Sequence, residues 1–191
     1  MKEIPQPRVA GLSALPTRDN EGCWLAVIEA TQGTRHKFKY SAESNAFVLS
    51  GVLPLGVAFP YDFGFLPSTL GEDGDPLDVL VLADEPLPLG ALAPVHIVGV
   101  IEAEQRDKGA RRAKRNDRLL AVTEPSHAYR QCRALTDLAH NVLDEIERFF
   151  VGYNQAKDVR FTPLARRGRR AAERLVRCGQ RRFGERRAAA D

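Results

Sequence analysis

The sequence has little cysteine. Its three cysteines, Cys23, Cys132 and Cys178, are odd in number and far apart. A scattered odd set argues against a disulfide framework, and without a close pair there is no zinc knuckle. No apolar run is long enough to span a bilayer. The first twenty residues, Met1 to Asn20, are rich in proline and polar residues and lack the apolar core of a signal peptide. A cytoplasmic protein without a membrane partner is the expectation. Internal repeats are also absent. The net charge of +3 over 191 residues is small, but it hides an asymmetry. Acidic residues gather around positions 72–85, and eleven arginines lie between Arg160 and Arg187.

The chain is long enough for one domain with a sizeable core and appendages. Its most informative stretch runs from Gly71 to Leu82. Glu72, Asp73, Asp75 and Asp78 crowd together and are followed at once by an apolar run. Gly74 and Pro76 make a tight bend, and Leu77 with Val79 to Leu82 reads as a buried strand. Asp-Gly-Asp-Pro is also an ordinary turn sequence. A third carboxylate at the mouth of an apolar strand is not explained by a turn. Three like charges held this close stay ionised only beside a compensating cation, and hard oxygen donors suit Mg²⁺ or Mn²⁺. A calcium-binding helix–loop–helix fails. Leu77 occupies a ligand position, Asp78 stands where glycine is required, and no glutamate closes the loop at position 84.

Around this stretch the pattern predicts strands at Cys23 to Ala30, His36 to Tyr40, Ala46 to Leu49, Val95 to Ala103 and Arg118 to Thr123. Lys37 and Lys39 share one face of their strand. Pro54 to Gly64 reads as loop. Residues 106–115, with six cations, read as a solvated hairpin loop. From Leu135 the period becomes helical, through Leu138, Val142, Ile146, Phe149 and Tyr153, with Thr136 as a plausible cap. Thr162-Pro163 suits the start of a second helix. The expected organisation is an extended leader over 1–22, a barrel-and-helix domain over 23–160 and an arginine-rich C-terminal helix over 161–191. The fold class is α+β, a small β-barrel or twisted sheet with helices beside it.

The chain resembles the soluble family I inorganic pyrophosphatases. The residues that carry the resemblance are Asp73-Gly-Asp75-Pro-Leu-Asp78-Val-Leu, with Val-Ile-Glu29, Lys37, Pro60-Tyr-Asp-Phe-Gly64, Gly99-Val100, Arg118-Leu-Leu-Ala-Val122, Phe149-Phe150 and Tyr153 in the same order. The match spans roughly residues 24–154, and an ordered set is more specific than any one motif. The resemblance implies a five-stranded barrel of OB type flanked by helices. It also implies Mg²⁺-dependent hydrolysis of diphosphate, and a homo-oligomer. It makes Asp75 the general base, Asp73 and Asp78 metal ligands, and Glu29 the holder of a further Mg²⁺. Lys37 and Arg118 become phosphate-binding residues, and Tyr153 a hydrogen-bond donor to phosphate.

Several family positions are changed. A carboxylate two residues after Lys37 is replaced by Lys39, and a phosphate-binding arginine by Gly51. Two tyrosines are replaced by Phe59 and Phe63, and a lysine after Tyr153 by Asn154. Two metal-binding aspartates fall near Gln105 and Asn116. Lys39 is therefore expected to supply positive charge to the substrate. Asp117 is expected to turn inward as a replacement metal ligand, with Glu104 or Asp107 as alternatives. Two other readings stay open. One is a relative that binds Mg²⁺ and a phosphorylated small molecule with little turnover. The other is an OB-type nucleic-acid module served by the arginine run. A solvated face on a terminal helix explains that run more simply, so nucleic acid is not an expected partner.

Overall fold

A computed structural model describes residues 11–189. Strands β1 (Trp24–Ala30), β4 (Asp62–Leu66), β5 (Leu77–Leu82), β8 (Arg118–Thr123) and β6 (Leu92–Arg106) form a ring. β1 pairs with β4, β4 with β5, β5 with β8, β8 with β6, and β6 returns to β1, so the five strands close on themselves. Only β5–β8 is parallel. Closure leaves these strands no free edge on which another chain could pair. A separate hairpin, β2 (His36–Ser41) with β3 (Ala46–Val52), stands over the barrel mouth beside β1. The short β7 (Lys114–Arg115) and β9 (Arg160–Gly168) extend the sheet on the outer half of β6.

Every residue of β1 and β8 is buried, as expected where both faces of a strand are covered. Alternate residues go to two apolar clusters. Leu80, Leu82, Leu120 and Val122 pack with Phe59, Phe63 and α1 (His140–Gln155) through Leu143, Ile146 and Phe150. Val79, Val81, Leu119 and Ala121 pack with α2 (Arg169–Ala188) through Ala172 and Val176.

Three sequence expectations change. Pro54 to Gly64 does not stay loop throughout, because Asp62 begins β4. Gly64, the end of the stretch read as loop, lies inside β4. In the fold it is what lets β4 approach β1, since a Cβ there would stand 1.8 Å from the Val27 carbonyl oxygen. Leu135 to Asp137 is a single 3₁₀ turn, and α1 starts at His140 with Ala139 at its cap in place of Thr136. Thr162-Pro163 lies in a strand, and α2 starts at Arg169. Pro163 is tolerated because β9 bulges there. Ala165 faces Glu102 and Pro163 faces Ala103, leaving Leu164 as the extra residue. A missing N–H costs little at a bulge.

Of the expected leader, residues 1–10 lie outside the described part. The remainder is tied to the body. Leu12 N–H donates to the Tyr40 hydroxyl at 3.0 Å, and the Ser68 hydroxyl donates to the Leu15 carbonyl at 2.7 Å. Among the described residues no helix is long and apolar enough to cross a membrane.

Candidate active site

The loop before β5 sets the acidic residues. Gly74 adopts φ +94°, a conformation glycine takes without strain. The loop closes with a Gly71 N–H to Asp75 carbonyl bond of 2.7 Å. Asp75 N–H donates to the Asp73 carboxylate at 3.2 Å. The loop opens into a cleft of about 590 Å³, walled by the β2–β3 hairpin, the end of α1 and the end of α2. Glu29, Lys37, Lys39, Asp73, Asp75, Asp78, Arg118 and Tyr153 all line it, so eight of the nine expected site residues meet in one place. Asp117 is the exception.

Cations already hold two of the carboxylates. The Lys39 ammonium lies 2.8 Å from both oxygens of Asp75, with each side chain about half exposed, at 51% and 53%. Burial pulls the Lys39 pKa down, but the hydrogen bond and charge of Asp75 outweigh it and the net shift is upward. Lys39 therefore stands in the cleft as expected, but bound to Asp75 rather than free for a ligand. Arg118 Nη1 lies 2.6 Å from Asp78 with its side chain only 5% exposed. Its guanidinium is packed against Phe150 at 5.0 Å and Phe161 at 5.3 Å, and its buried Nε has no hydrogen-bond partner. Asp73 is exposed as a residue, yet partial burial of its carboxylate, ahead of the charges of Asp78 and Asp75, pushes its pKa up. Glu29, on β1, is buried and accepts the Tyr40 N–H at 2.7 Å. Burial raises its pKa from 4.5 to about 7, against the opposing effect of that hydrogen bond and of Lys37.

The changed positions form structures of their own. Asn116 Nδ2 donates to Gln105 Oε1 at 2.8 Å, so two amides bond where two carboxylates would repel. Phe59 and Phe63 stack on one another with centroids 5.9 Å apart, and both are buried. Asn154 is buried and spends its amide on the Phe150 carbonyl at 2.8 Å.

Asp117 does not turn into the cleft. Its carboxylate accepts the Ala103 N–H at 2.9 Å and lies 2.8 Å from Arg115, lining a neighbouring cavity with Glu102. Position 117 caps the β6–β8 ladder, and that fixes its direction. Glu104 is not in the cleft wall. Asp107 is, and it accepts a 3.2 Å bond from Gln105.

Sequence reasoning missed three cationic contributors. Lys114, read as part of a solvated loop, lies on β7 and lines the cleft. Lys157, beyond α1, lines the cleft; its place one helical turn after Tyr153 was the available signal. Arg186 of α2 also lines it and donates to the Gly74 carbonyl at 3.3 Å, while Arg182 reaches Glu72 at 3.1 Å. The arginine helix is thus clasped onto the acidic loop rather than merely solvated.

A family model described as inorganic pyrophosphatase matches residues 26–183. The chain belongs to the inorganic pyrophosphatase family. Over 142 residues it is 37% identical to the inorganic pyrophosphatase of Nostoc sp., covering 74% of this chain and 80% of that one. The inorganic pyrophosphatase of Thermus thermophilus is 34% identical over 146 residues, covering 76% of this chain and 80% of the relative. A crystal structure of inorganic pyrophosphatase from Thermus thermophilus superposes with a TM-score of 0.83 at 32% identity, over 92% of this chain and 99% of that one. One from Helicobacter pylori gives 0.79 at 26% identity, over 89% and 98%.

For a pyrophosphatase, the donor set suits a hard divalent cation at one wall of the cleft and not at another. Asp73, Asp75 and Asp78 offer anionic oxygens from one loop, and burial raises the Asp73 pKa first, with the like charges of Asp78 and Asp75, which a cation would relieve, adding to it. Gln105 and Asn116 offer only amides already bonded together. Among the described residues no three Asp, Glu, His or Cys side chains stand at ion-holding distance, with Lys39 and Arg118 drawing Asp75 and Asp78 toward themselves.

Proposed function

We propose that the cleft binds diphosphate with Mg²⁺ and hydrolyses it to two phosphates. The observation that carries this reading is the convergence of Asp73, Asp75 and Asp78 with Lys37 and Arg118 on one cleft, in a chain of the inorganic pyrophosphatase family. Asp73 and Asp78 would hold the ion at the loop, and Glu29 would hold a further one. Mg²⁺ bound there neutralises substrate charge and acidifies water.

The chain's own groups supply the rest. Asp75 takes a proton from the attacking water as its oxygen bonds to phosphorus. The bridging P–O bond breaks, and the departing phosphate keeps the electron pair. Lys37 holds phosphate oxygens by charge-assisted hydrogen bonds. Arg118, paired with Asp78 and packed among aromatic rings, is a fixed positive charge at the cleft floor. Tyr153 offers its hydroxyl to a phosphate oxygen. Asp75 becomes available when Lys39 lets go, and an exposed bridge of this kind is worth only about 0–1 kcal/mol.

A second reading, binding of a phosphorylated molecule with little turnover, is favoured by the Gln105–Asn116 amide pair and the Lys39–Asp75 bridge. The nucleic-acid reading loses ground. Arg166, Arg167, Arg169, Arg181 and Arg182 all pair with carboxylates of this chain. Phosphate release from diphosphate, with Mg²⁺ and with EDTA, decides. Release that EDTA abolishes supports hydrolysis, and diphosphate binding without release supports the second reading.

A further inference from the structure

Among the described residues three ammonium groups that line the cleft, Lys37, Lys114 and Lys157, have no acidic partner, and two of them, Lys37 and Lys157, share an aromatic ring. Lys39 is bound to Asp75 and Arg118 to Asp78. Among the described residues neither Lys37 nor Lys157 has a carboxylate oxygen within 4.0 Å. Asp158, the acid next to Lys157, is taken by Lys108 at 2.7 Å.

The two cations converge on one aromatic ring. Lys157 Nζ lies 4.1 Å from the centroid of Tyr153 and donates to its hydroxyl. Lys37 Nζ lies 5.7 Å from the same centroid. Backbone turns fix where Lys157 starts. Its N–H donates to the Asn154 carbonyl at 2.9 Å, and Asp158 follows at φ +58°.

Gly51 leaves the space in front of Lys157 unfilled. It faces Lys37 across the β2–β3 ladder. A Cβ at this glycine would meet one atom within 4 Å, Lys157 Nζ at 3.9 Å. The ammonium thus stands in ordinary contact with the point where a side chain from β3 would begin, in the space that its outer atoms would enter. Two cations side by side without an acid repel each other, and a bridging anion relieves that repulsion.

We infer that Lys157 is a substrate-binding residue that grips a phosphate group of the diphosphate together with Lys37. The positive charge that β3 does not supply at Gly51 comes instead from the end of α1. This inference rests on the proposed function for the identity of the anion. It explains how the cleft keeps its cationic rim although Asn154 and Gly51 carry no charge.

The test is calorimetric titration of the full chain with imidodiphosphate, a non-hydrolysable diphosphate, in Mg²⁺. Lys157→Gln is expected to weaken binding by about tenfold or more, the size of one lost charge-assisted hydrogen bond. Lys157→Arg is expected to stay close to the parent. Adding Gly51→Arg to Lys157→Gln is expected to recover most of the loss, because the new guanidinium enters the same space. Binding by Lys157→Gln as tight as the parent's overturns the inference. So does a loss that neither Lys157→Arg nor added Gly51→Arg repairs, since that marks a structural role. Parent protein that binds the analogue but releases no phosphate from diphosphate refutes the hydrolase reading alone. Hydrolysis by the parent alongside unchanged binding in Lys157→Gln refutes this inference alone.

Discussion

Replacing Lys39 by glutamine tests how firmly the candidate base is held. The ammonium contacts both Asp75 oxygens at 2.8 Å, a geometry that suggests a strong bond. Exposure argues otherwise. With side chains 51% and 53% open to water, the pair contributes about 0–1 kcal/mol to stability. A tenfold change in affinity needs about 1.4 kcal/mol, so releasing Asp75 strengthens Mg²⁺ binding by at most about fivefold. Removing a positive charge beside the ion acts in the same direction and is screened by the same water. The expected outcome of Lys39→Gln is a gain of about two- to tenfold in Mg²⁺ affinity, with folding stability within about 1 kcal/mol of the parent. Calorimetric titration with Mg²⁺ and no diphosphate reads the first quantity, and urea unfolding reads the second. Mg²⁺ affinity that stays the same or falls would refute the reasoning. Lys39 would then not be masking the Asp75 charge from the metal.

Two further predictions concern buried charge. Changing Gln105 and Asn116 together to aspartate replaces their 2.8 Å hydrogen bond with repulsion. The metal-free protein should lose about 1–3 kcal/mol and regain it in Mg²⁺, as thermal unfolding with and without EDTA will read; a loss that Mg²⁺ leaves unchanged contradicts this. Glu29, raised from 4.5 to about 7 by burial, gives a pH signature. Between those values the folded chain keeps a proton that the unfolded chain has released, so stability falls as pH rises. The contribution is complete below about 4.5 and lost through about 7, some 3 kcal/mol at most. In EDTA the parent should lose stability relative to Glu29→Gln from pH 4.5 to 8, and a pH-independent difference between them would contradict the assignment.

Strands β1, β2, β3, β5, β6 and β8 were legible because their apolar runs are short and bounded by turns, whereas β4 and β9 were not. The β5 run and Arg118 to Thr123 fall where their short apolar runs put them. The site was legible through its order along the chain: the Asp73–Asp78 loop, Glu29, Lys37 and Tyr153 come from four separate elements and meet in one cleft. What sequence reading missed depends on contacts between distant segments. Pro54 to Gly64 reads as loop until Gly64 is seen packed against the Val27 carbonyl inside β4. Thr162-Pro163 has the local chemistry of a helix start, but pairing with β6 overrides that preference. Asp117 is expected in the cleft because it adjoins Asn116, where the family resemblance places a metal-binding aspartate. A backbone N–H from Ala103 and the Arg115 guanidinium decide its direction instead. The arginines of α2 read as a solvated face because nothing in the sequence says that Arg186 reaches Gly74.

The central claim is that Asp75 takes the proton from a water that attacks bound diphosphate. Its most direct test is phosphate release in Mg²⁺ by the parent chain and by Asp75→Asn, with imidodiphosphate binding measured on both. The account predicts release by the parent, a fall of about 10²-fold or more in Asp75→Asn, and analogue binding by both. Equal release from the two proteins, or none from a parent that binds the analogue, would contradict it.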